Sequence, residues 1–407
     1  MQKICPVCGK KYSKNDNFCS KHSDLVRLVY VKDLVKICPK CGEKYTEEDN
    51  FCGFHDEAIE LCYIKDLVKV CSACGSKYPE SYNYCIKCEW DGPLEVIGRR
   101  DIDIKDIETN PNKNYNFKKH PNHFDTVEEL FSPQNIRSLK EFDLTQSQFD
   151  EIIENIIKTY KSILKGLIDD YYIDFEGISI LNKMFLFSKS FVKTYHKAGG
   201  RDLGHYMFNE IYVDDMLETA LQISTIIHEL SHFLFSEILE QIISTILDTD
   251  KTDIIEAYVY YILDEEEFNN LIDEYCAYTV EGGFVKKGFN DYGSYIEILK
   301  EFIPRHGSNL VEHANIIGNS FADYIKLIMR SFINDNLRRE IKHEFSKLGP
   351  GKNHAPSGLE TDLSFEWNEF KIAIGFILTN KIDAYLNDGV FKDKLLEYSL
   401  EFEKNNG

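Results

Sequence analysis

The stretch Thr225-Ile-Ile-His-Glu-Leu-Ser-His-Phe233 places two histidines four residues apart within an apolar run that is typical of a helix. On a helix, His228 and His232 lie on one face, about one turn or roughly 6 Å apart, so both imidazoles can bind one metal ion. Glu229 lies about 100° around the helix, where its carboxylate can reach a water at the metal without binding the ion itself. These five residues therefore predict two metal ligands and a general base.

The helix that carries HELSH is predicted to run from about Met216 to Leu239, with one buried side. The preceding segment, residues 204–215, is rich in aromatic and β-branched residues and predicts a strand. Two further strands are predicted at residues 172–175 and 184–187. Elsewhere after residue 123, apolar spacing and capping residues predict helices near residues 126–131, 145–167, 252–263, 308–345 and 365–385.

HExxH is the signature of the zincin peptidases, and HELSH at 228–232 gives this chain its resemblance to them. The resemblance implies that His228 and His232 bind a catalytic zinc ion. It also implies that Glu229 activates a zinc-bound water, which attacks a peptide carbonyl polarised by the metal. The strand at 204–215 would then be the sheet edge along which an extended substrate lies, because edge pairing needs only free backbone groups.

The source of the third zinc ligand distinguishes the zincin subfamilies. One class takes it from a His six residues after the second His, with a Gly between; here those positions are Ile238 and Phe235, so this class is excluded. A class that uses an Asp before a Tyr-Gly pair is matched only superficially by residues 288–293, where Asp291 is the candidate. The gluzincins take a Glu from a later helix, and residues 271–280 are the best match to that arrangement.

Glu274 is the predicted third ligand, and Asp273 is its rival, because neighbours on a helix point about 100° apart and only one can face the zinc. The gluzincin pattern often has an Asp four residues after this Glu, where it orients a zinc-bound His. Here that position is Tyr278, and Asp273 or Glu281 could serve instead. For stabilising the oxyanion there are three candidates, and the sequence does not choose among His313, Tyr278 and His205.

Residues 3–100 repeat with a period of 33, in units that begin at Lys3, Lys36 and Lys69. Each unit has Cys-x2-Cys, ten residues, and then Cys-x2-His or Cys-x2-Cys. Four soft donors in two close pairs suit tetrahedral zinc with no open position, so three structural zinc sites are predicted. Their ligand sets are Cys5, Cys8, Cys19 and His22, then Cys38, Cys41, Cys52 and His55, then Cys71, Cys74, Cys85 and Cys88.

The three units resemble zinc ribbons, and an apolar run such as residues 25–31 or 59–64 fits a strand that closes each unit. They do not resemble DNA-reading fingers, because no basic recognition helix lies between the cysteine pairs. The predicted fold class is α+β and multidomain: three ribbons followed by a mainly helical zincin-like domain with a small sheet. The predicted boundaries are 1–97 for the ribbons (3–35, 36–68 and 69–97), 98–122 for a polar linker, and 123–407 for the zincin-like domain.

The net charge of −21 belongs to residues 101–407, because the first hundred residues are close to neutral. An acidic body without a basic stripe counts against a nucleic-acid partner. The N-terminus has no apolar run that would serve as a signal peptide, and no stretch approaches the ~18 apolar residues of a membrane span. We therefore expect a cytoplasmic protein with no membrane partner, in which reduced cysteines hold zinc.

These observations predict a zinc metallopeptidase with one catalytic and three structural zinc ions, acting on a protein or peptide substrate. The ribbons would recruit a protein partner or the substrate. The alternative is a non-catalytic zinc-ribbon adaptor whose zincin-like body binds proteins without cleaving them. Retention of both histidines and of Glu229 counts against the adaptor.

Overall fold

A computed structural model of the chain describes residues 3–4, 11–12, 17–21, 29–30, 35–55, 58–64, 67–71, 73–74, 76–79, 81–88, 94–96, 123–124, 126–171, 173–197, 203–354, 356 and 360–406. The chain divides into two units. One comprises Met1–Ile102 with Ile168–Ile178, and the other comprises Asp103–Leu167 with Ser179–Gly407. The predicted linker over 98–122 lies outside the described residues.

The first unit contains three small sheets built on one plan. In each sheet the first strand lies in the middle and pairs antiparallel with the other two, in the orders β2-β1-β3, β5-β4-β6 and β8-β7-β9. The predicted closing strand is thus present in each repeat. The strands are β1 (Lys3–Ile4), β2 (Lys11–Tyr12), β3 (Val29–Tyr30), β4 (Lys36–Ile37), β5 (Lys44–Tyr45), β6 (Cys62–Tyr63), β7 (Leu67–Val70), β8 (Lys77–Pro79) and β9 (Glu95–Val96).

The core of each described repeat consists largely of its cysteines. In the second repeat Cys38, Cys52 and Leu61 are buried together, and in the third repeat Cys71, Cys85, Tyr78 and Leu94 are. Strands of two to four residues and so few apolar side chains cannot stabilise a fold by burial alone. Metal binding at the cysteines would supply the missing folding free energy.

The second unit is mostly helical. Its helices are α1 (Val127–Leu130), α2 (Pro133–Glu141), α3 (Gln146–Asp170, which extends into the first unit), α4 (Ile180–Lys189), α5 (Thr219–Leu247), α6 (Asp253–Asp264), α7 (Glu267–Phe284), α8 (Gly293–His306), α9 (Ser308–Arg330), α10 (Asp335–Ser346), α11 (Trp367–Thr379), α12 (Ile382–Asn387) and α13 (Gly389–Asn406). Capping boxes at Thr126 with Glu129, and at Thr145 with Gln148, begin α1 and α3 as predicted.

Helix α5 is the central element of this unit and carries HELSH. It is longer than predicted, running to Leu247 before Asp248 takes a left-handed conformation (φ 51°). It is also buried on nearly all sides, where one buried side was predicted. Within the described residues α5 is the one helix long and apolar enough to cross a membrane, but 78% of its apolar window is buried in the protein, and the core helix of a soluble protein passes the same test.

A three-stranded mixed sheet lies against α5, in the order β10-β12-β11. The predicted single strand at 204–215 is a hairpin, because Phe208 and Asn209 (φ 48° and 61°) form a two-residue turn between β11 (Gly204–Met207) and β12 (Glu210–Asp214). β12 also pairs in parallel with β10 (Lys193–Lys197). The strand directly before α5, β12, is therefore central, and β10 and β11 are the two edge strands of the described sheet.

Two predicted strands are wrong. Residues 184–187 lie within α4, whose first turn is capped by the Ser179 hydroxyl. The spacing of apolar residues in so short a run cannot distinguish a buried strand from a buried helix. Here the N-cap and the tertiary packing stabilise the helix. In the other predicted strand, residues 172–175, the described residues 173 and 174 form irregular chain. They are followed by a single 3₁₀ turn, Phe175–Gly177.

Candidate metal centres

Helices α5 and α7 bring His228, His232 and Glu274 together, with one ligand atom of each within 4.8 Å of the others. Glu274 Oε2 lies 3.6 Å from His228 Nε2, and Glu274 Oε1 lies 3.9 Å from His232 Nε2. A tetrahedral zinc ion with bonds of about 2.0–2.1 Å separates its ligand atoms by about 3.3 Å, so small inward shifts would complete the site. Glu274 Oε2 is buried and makes no hydrogen bond, as suits a carboxylate oxygen that binds a metal.

The other nitrogen of each histidine faces a second carboxylate. Asp273 Oδ2 lies 2.9 Å from His232 Nδ1, and Glu281 Oε2 lies 3.6 Å from His228 Nδ1. Carboxylates at Nδ1 favour the tautomer that leaves Nε2 free for a metal, and they hold each ring in position. Asp273 therefore faces Nδ1 of His232, which we call the outer nitrogen of the ring. Glu274 faces Nε2, the inner nitrogen, of both rings.

All three carboxylates come from α7, where Glu274 and Glu281 are seven residues, or about two turns, apart on one face. α7 is supported from behind by α9, which approaches it closely at Gly318. A Cβ at that position would lie 2.7 Å from the carbonyl oxygen of Ile272 and 3.2 Å from the backbone nitrogen of Cys276. This close approach fixes α7 beside the two histidines.

Electrostatics at the site favour a bound cation. Burial alone would lower the pKa of both histidines, but Glu274 and Glu281 raise the pKa of His228 well above its usual value, and Asp273 raises that of His232 to about 9. Burial works against ionisation of Glu274, yet contact with His228 and His232 lowers its pKa. Without a metal the site thus attracts protons to its imidazoles, and a divalent ion can replace that positive charge.

Glu229 lies beside this centre on α5 and is only 6% exposed. Burial raises its pKa, while the charges of His228 and His232 lower it. A carboxyl group with a raised pKa holds a proton more readily than an exposed one, which suits a group that accepts and returns a proton.

The sheet edge packs directly on the helix face near these residues. A Cβ at Gly204 in β11 would collide with the carbonyl of Tyr212 and with the side chain of Thr225, which lies one turn before His228. Further along the strand, the Tyr206 ring lies 6.2 Å from the Phe233 ring. β11 therefore runs beside the stretch of α5 that contains HELSH.

Two cysteine-rich groups in the first unit also have the geometry of metal sites: Cys38, Cys41, Cys52 and His55, and then Cys71, Cys74, Cys85 and Cys88. Sulfur atoms lie 3.7 Å apart for Cys41 and Cys52, and 3.5 Å apart for Cys74 and Cys85. Zinc–sulfur bonds of about 2.3 Å in a tetrahedron separate the sulfurs by about 3.8 Å, so both groups fit zinc. Of the first predicted set, Cys19 is buried, and Cys5, Cys8 and His22 lie outside the described residues.

A tyrosine beside each described cysteine group was missed in the sequence. The hydroxyls of Tyr45 and Tyr78 lie 3.1 Å from the sulfurs of Cys52 and Cys85. Burial would raise the pKa of Cys85, but hydrogen bonds from Tyr78 and from nearby backbone N–H groups lower it to about 6. The sequence does contain a signal for it, because a tyrosine recurs once per repeat, at positions 12, 45 and 78.

A lysine that is buried in the first two repeats and half-buried in the third opens each repeat, and it was also missed. Lys3, Lys36 and Lys69 donate to the side chains of Asn17, Asn50 and Asn83 at 2.9, 3.3 and 3.3 Å. Lys36 also donates to the backbone carbonyls of Glu47 and Asp49, at 2.7 Å each. These bonds tie the first strand of each repeat to the loop before its third cysteine.

The remaining candidates are not members of the three ligand groups. The Asp291 carboxylate accepts from the Gly293 N–H at 2.8 Å, near the start of α8. His205 stacks on the ring of Tyr212, and exposed His313 bonds the carbonyl of Asn309. Tyr278 packs among tyrosine rings, 4.7 Å from that of Tyr275.

Comparisons of this chain with protein-family models, curated proteins and solved structures gave no match. The described residues define a mostly helical body, preceded by cysteine-rich repeats. Three groups of their side chains have the composition and spacing to hold metal ions, two in the repeats and one in the body.

Proposed function

We propose that this chain is a cytoplasmic zinc-dependent peptidase of the gluzincin-like HExxH type, preceded by three zinc ribbons. The observation that carries the proposal is the convergence of His228, His232 and Glu274 within 4.8 Å, with Glu229 on the same helix. A closed structural site needs four protein ligands, whereas this group offers three and leaves one position for a water or substrate. The orienting contacts of Asp273 and Glu281 with the two rings add further support.

A zinc ion held by His228, His232 and Glu274 would act as a Lewis acid that polarises the peptide carbonyl and acidifies a water. Glu229 accepts the proton of that water and returns it to the leaving amine, a role that its raised pKa suits. As an edge strand of the described sheet, β11 offers backbone groups with which an extended polypeptide can pair. Asp273 holds the His232 ring through Nδ1 at 2.9 Å, and Glu281 faces Nδ1 of His228 at 3.6 Å, so both rings are directed toward the metal position.

The ribbons are proposed to recruit a protein partner or substrate. Each repeat exposes an aromatic ring directly before its third cysteine: Phe18, Phe51 and Tyr84 are 49%, 58% and 61% exposed. Aromatic residues are enriched at protein interfaces. An exposed ring that recurs every 33 residues differs from the single exposed apolar side chains that are scattered over most protein surfaces. The near-neutral charge of this region favours a protein over a nucleic acid.

Metal content and turnover test the proposal together. The purified chain should contain four zinc ions, three in the repeats and one at HELSH. Glu229→Gln should keep all four ions and lower peptide hydrolysis by about a hundred- to ten-thousandfold, because it removes the base and leaves the ligands intact. New peptide termini are compared after incubation of cell lysate with each protein. Identical termini from wild type and variant would contradict the peptidase and favour the adaptor.

A further inference from the structure

Two loops outside the metal centre cross each other with their backbones in contact. Gly288 (φ 90°) lies against Gly351, and a Cβ at either position would collide with the backbone of the other. The crossing is held by Asn353, whose backbone N–H donates to the Gly288 carbonyl and whose side chain donates to the Asn290 carbonyl, both at 2.9 Å. Lys286 Nζ adds a bond to the Gly349 carbonyl at 3.0 Å. We call residues 349–353 the clasp.

The residue that follows Asn290 bonds directly to a carboxylate of the metal centre. The backbone N–H of Asp291 donates to both oxygens of Glu281, at 3.3 and 3.1 Å. The Ser224 hydroxyl donates to Glu281 Oε1 at 2.5 Å, from a position one turn before His228 on α5. Glu281 is 0% exposed, so these donors determine where its carboxylate points, and its Oε2 lies 3.6 Å from His228 Nδ1.

We propose that the clasp is a positioning element for the metal centre: it holds Asn290 and Asp291 so that the Asp291 N–H fixes Glu281, which orients His228. This inference rests on the proposed metal site. The two groups that donate to Glu281 come from different parts of the chain. Ser224 belongs to the same helix as His228 and moves with it, whereas Asp291 is held by the clasp through its neighbour Asn290. Breaking the clasp should therefore loosen His228 without touching any ligand.

The test measures metal affinity in the full chain, with the repeats loaded. Chelator competition follows the fourth metal, with Co²⁺ as the probe, because histidine and carboxylate ligands give a weaker visible spectrum than the thiolate sites. Glu281→Gln should weaken this metal by about tenfold or more, as loss of an orienting partner does. Asn353→Ala should weaken it less, and in the Glu281→Gln background it should add nothing, because both changes act through one carboxylate.

The matched control is Asn387→Ala, which removes another exposed asparagine that donates to a backbone carbonyl, here Asp383 at 2.7 Å. It should leave the affinity unchanged. Gly351→Ala forces the crossing apart and should reproduce Asn353→Ala. Additive effects of Asn353→Ala and Glu281→Gln, or an Asn353→Ala affinity equal to that of the control, would overturn the role of the clasp. A wild-type chain with no fourth metal would instead overturn the metal site, and the clasp with it.

Discussion

At the scale of single residues, Asp273 and Glu274 are adjacent carboxylates with different surroundings. Glu274 lies between the inner nitrogens of two histidines, and Asp273 bonds the outer nitrogen of one. One of them is therefore placed to bind a metal, and the other to orient a ligand. Replacing Asp273 or Glu274 with a neutral residue should therefore affect metal binding to different extents.

We expect Glu274→Ala to lose the fourth zinc and to retain the three in the repeats, because only two ligands remain in the body. Asp273→Asn should retain four zinc ions but bind the fourth about ten- to a hundredfold more weakly. Zinc is counted by elemental analysis after dialysis, and its affinity is measured against a chelator. A Glu274→Ala chain that keeps the fourth ion tightly would show that the ligand assignment is wrong.

The tyrosines beside the cysteine groups allow a second test at this scale. Tyr78→Phe removes the hydroxyl that bonds the Cys85 sulfur and should raise the thiol pKa of Cys85. Protons compete with zinc for the thiolate, so a higher pKa means that the third repeat loses its zinc at a higher pH than in wild type. Zinc release is followed with a colorimetric chelator during acidification. Tyr84→Phe is the control, since Tyr84 is exposed beside the same cysteine; an equal midpoint for both variants would refute the role of Tyr78.

At the scale of elements, the C-terminal half of α5 is tied to its neighbours by one half-buried lysine. Lys251 Nζ lies 2.6, 2.7 and 3.2 Å from carboxylate oxygens of Glu237, Glu240 and Glu256. Asn209, in the turn of the β11–β12 hairpin, donates to Glu256 at 2.9 Å, and Asn406 of α13 donates to it at 2.7 Å. This network joins α5, α6, α13 and the turn that ends the edge strand.

The network predicts a pH dependence of stability. Burial raises the pKa of Glu240 to about 8 against the attraction of Lys251, and the charges of Glu256 and Glu237 add to the rise. A carboxyl whose pKa is higher in the folded state stabilises the fold below its unfolded pKa, and this stability is lost as pH rises to about 8. Glu240→Gln mimics the protonated form and should remove this loss.

Urea unfolding with zinc present measures the effect. Between about pH 5 and 8 the unfolding free energy of wild type should fall relative to Glu240→Gln, by at most about 1.4 kcal/mol per pH unit. Groups outside this network titrate equally in both proteins, so the difference reports on Glu240 together with Glu256, whose charge acts on it. Parallel curves for the two proteins would contradict a raised pKa at this position.

At the scale of the whole molecule, the proposal assigns recruitment to the repeats and hydrolysis to the body. Replacing Phe18, Phe51 and Tyr84 with Ser should lower cleavage of protein substrates several-fold, because a three-ring contact is lost. Hydrolysis of a short peptide and the zinc content should stay the same, since the body and the ligands are unchanged. Phe54→Ser is the control: Phe54 is 52% exposed, but the equivalent positions in the other repeats are Lys21 and Lys87. Equal loss for short peptides and proteins would contradict separate roles.

Local patterns in the sequence predicted many of the elements. Thr126 and Thr145 identify helix starts because their capping bonds involve residues only three positions away. The turn at Phe208 and Asn209 was missed because it lacks the glycine that usually marks such turns. Phe208 is held there by the rings of Tyr260, Tyr398 and Phe402, which come from distant helices.

The sequence by itself determined what depends on short spacing: the two histidines and Glu229 on one helix, and the cysteine pairs repeated every 33 residues. These relations follow from helix geometry and chain connectivity, so no packing information is needed to infer them. Only the tertiary structure decided that Glu274 faces both inner nitrogens while Asp273 and Glu281 face the outer ones. About forty residues separate HELSH from these carboxylates, and the packing of α7 between α5 and α9 sets their positions.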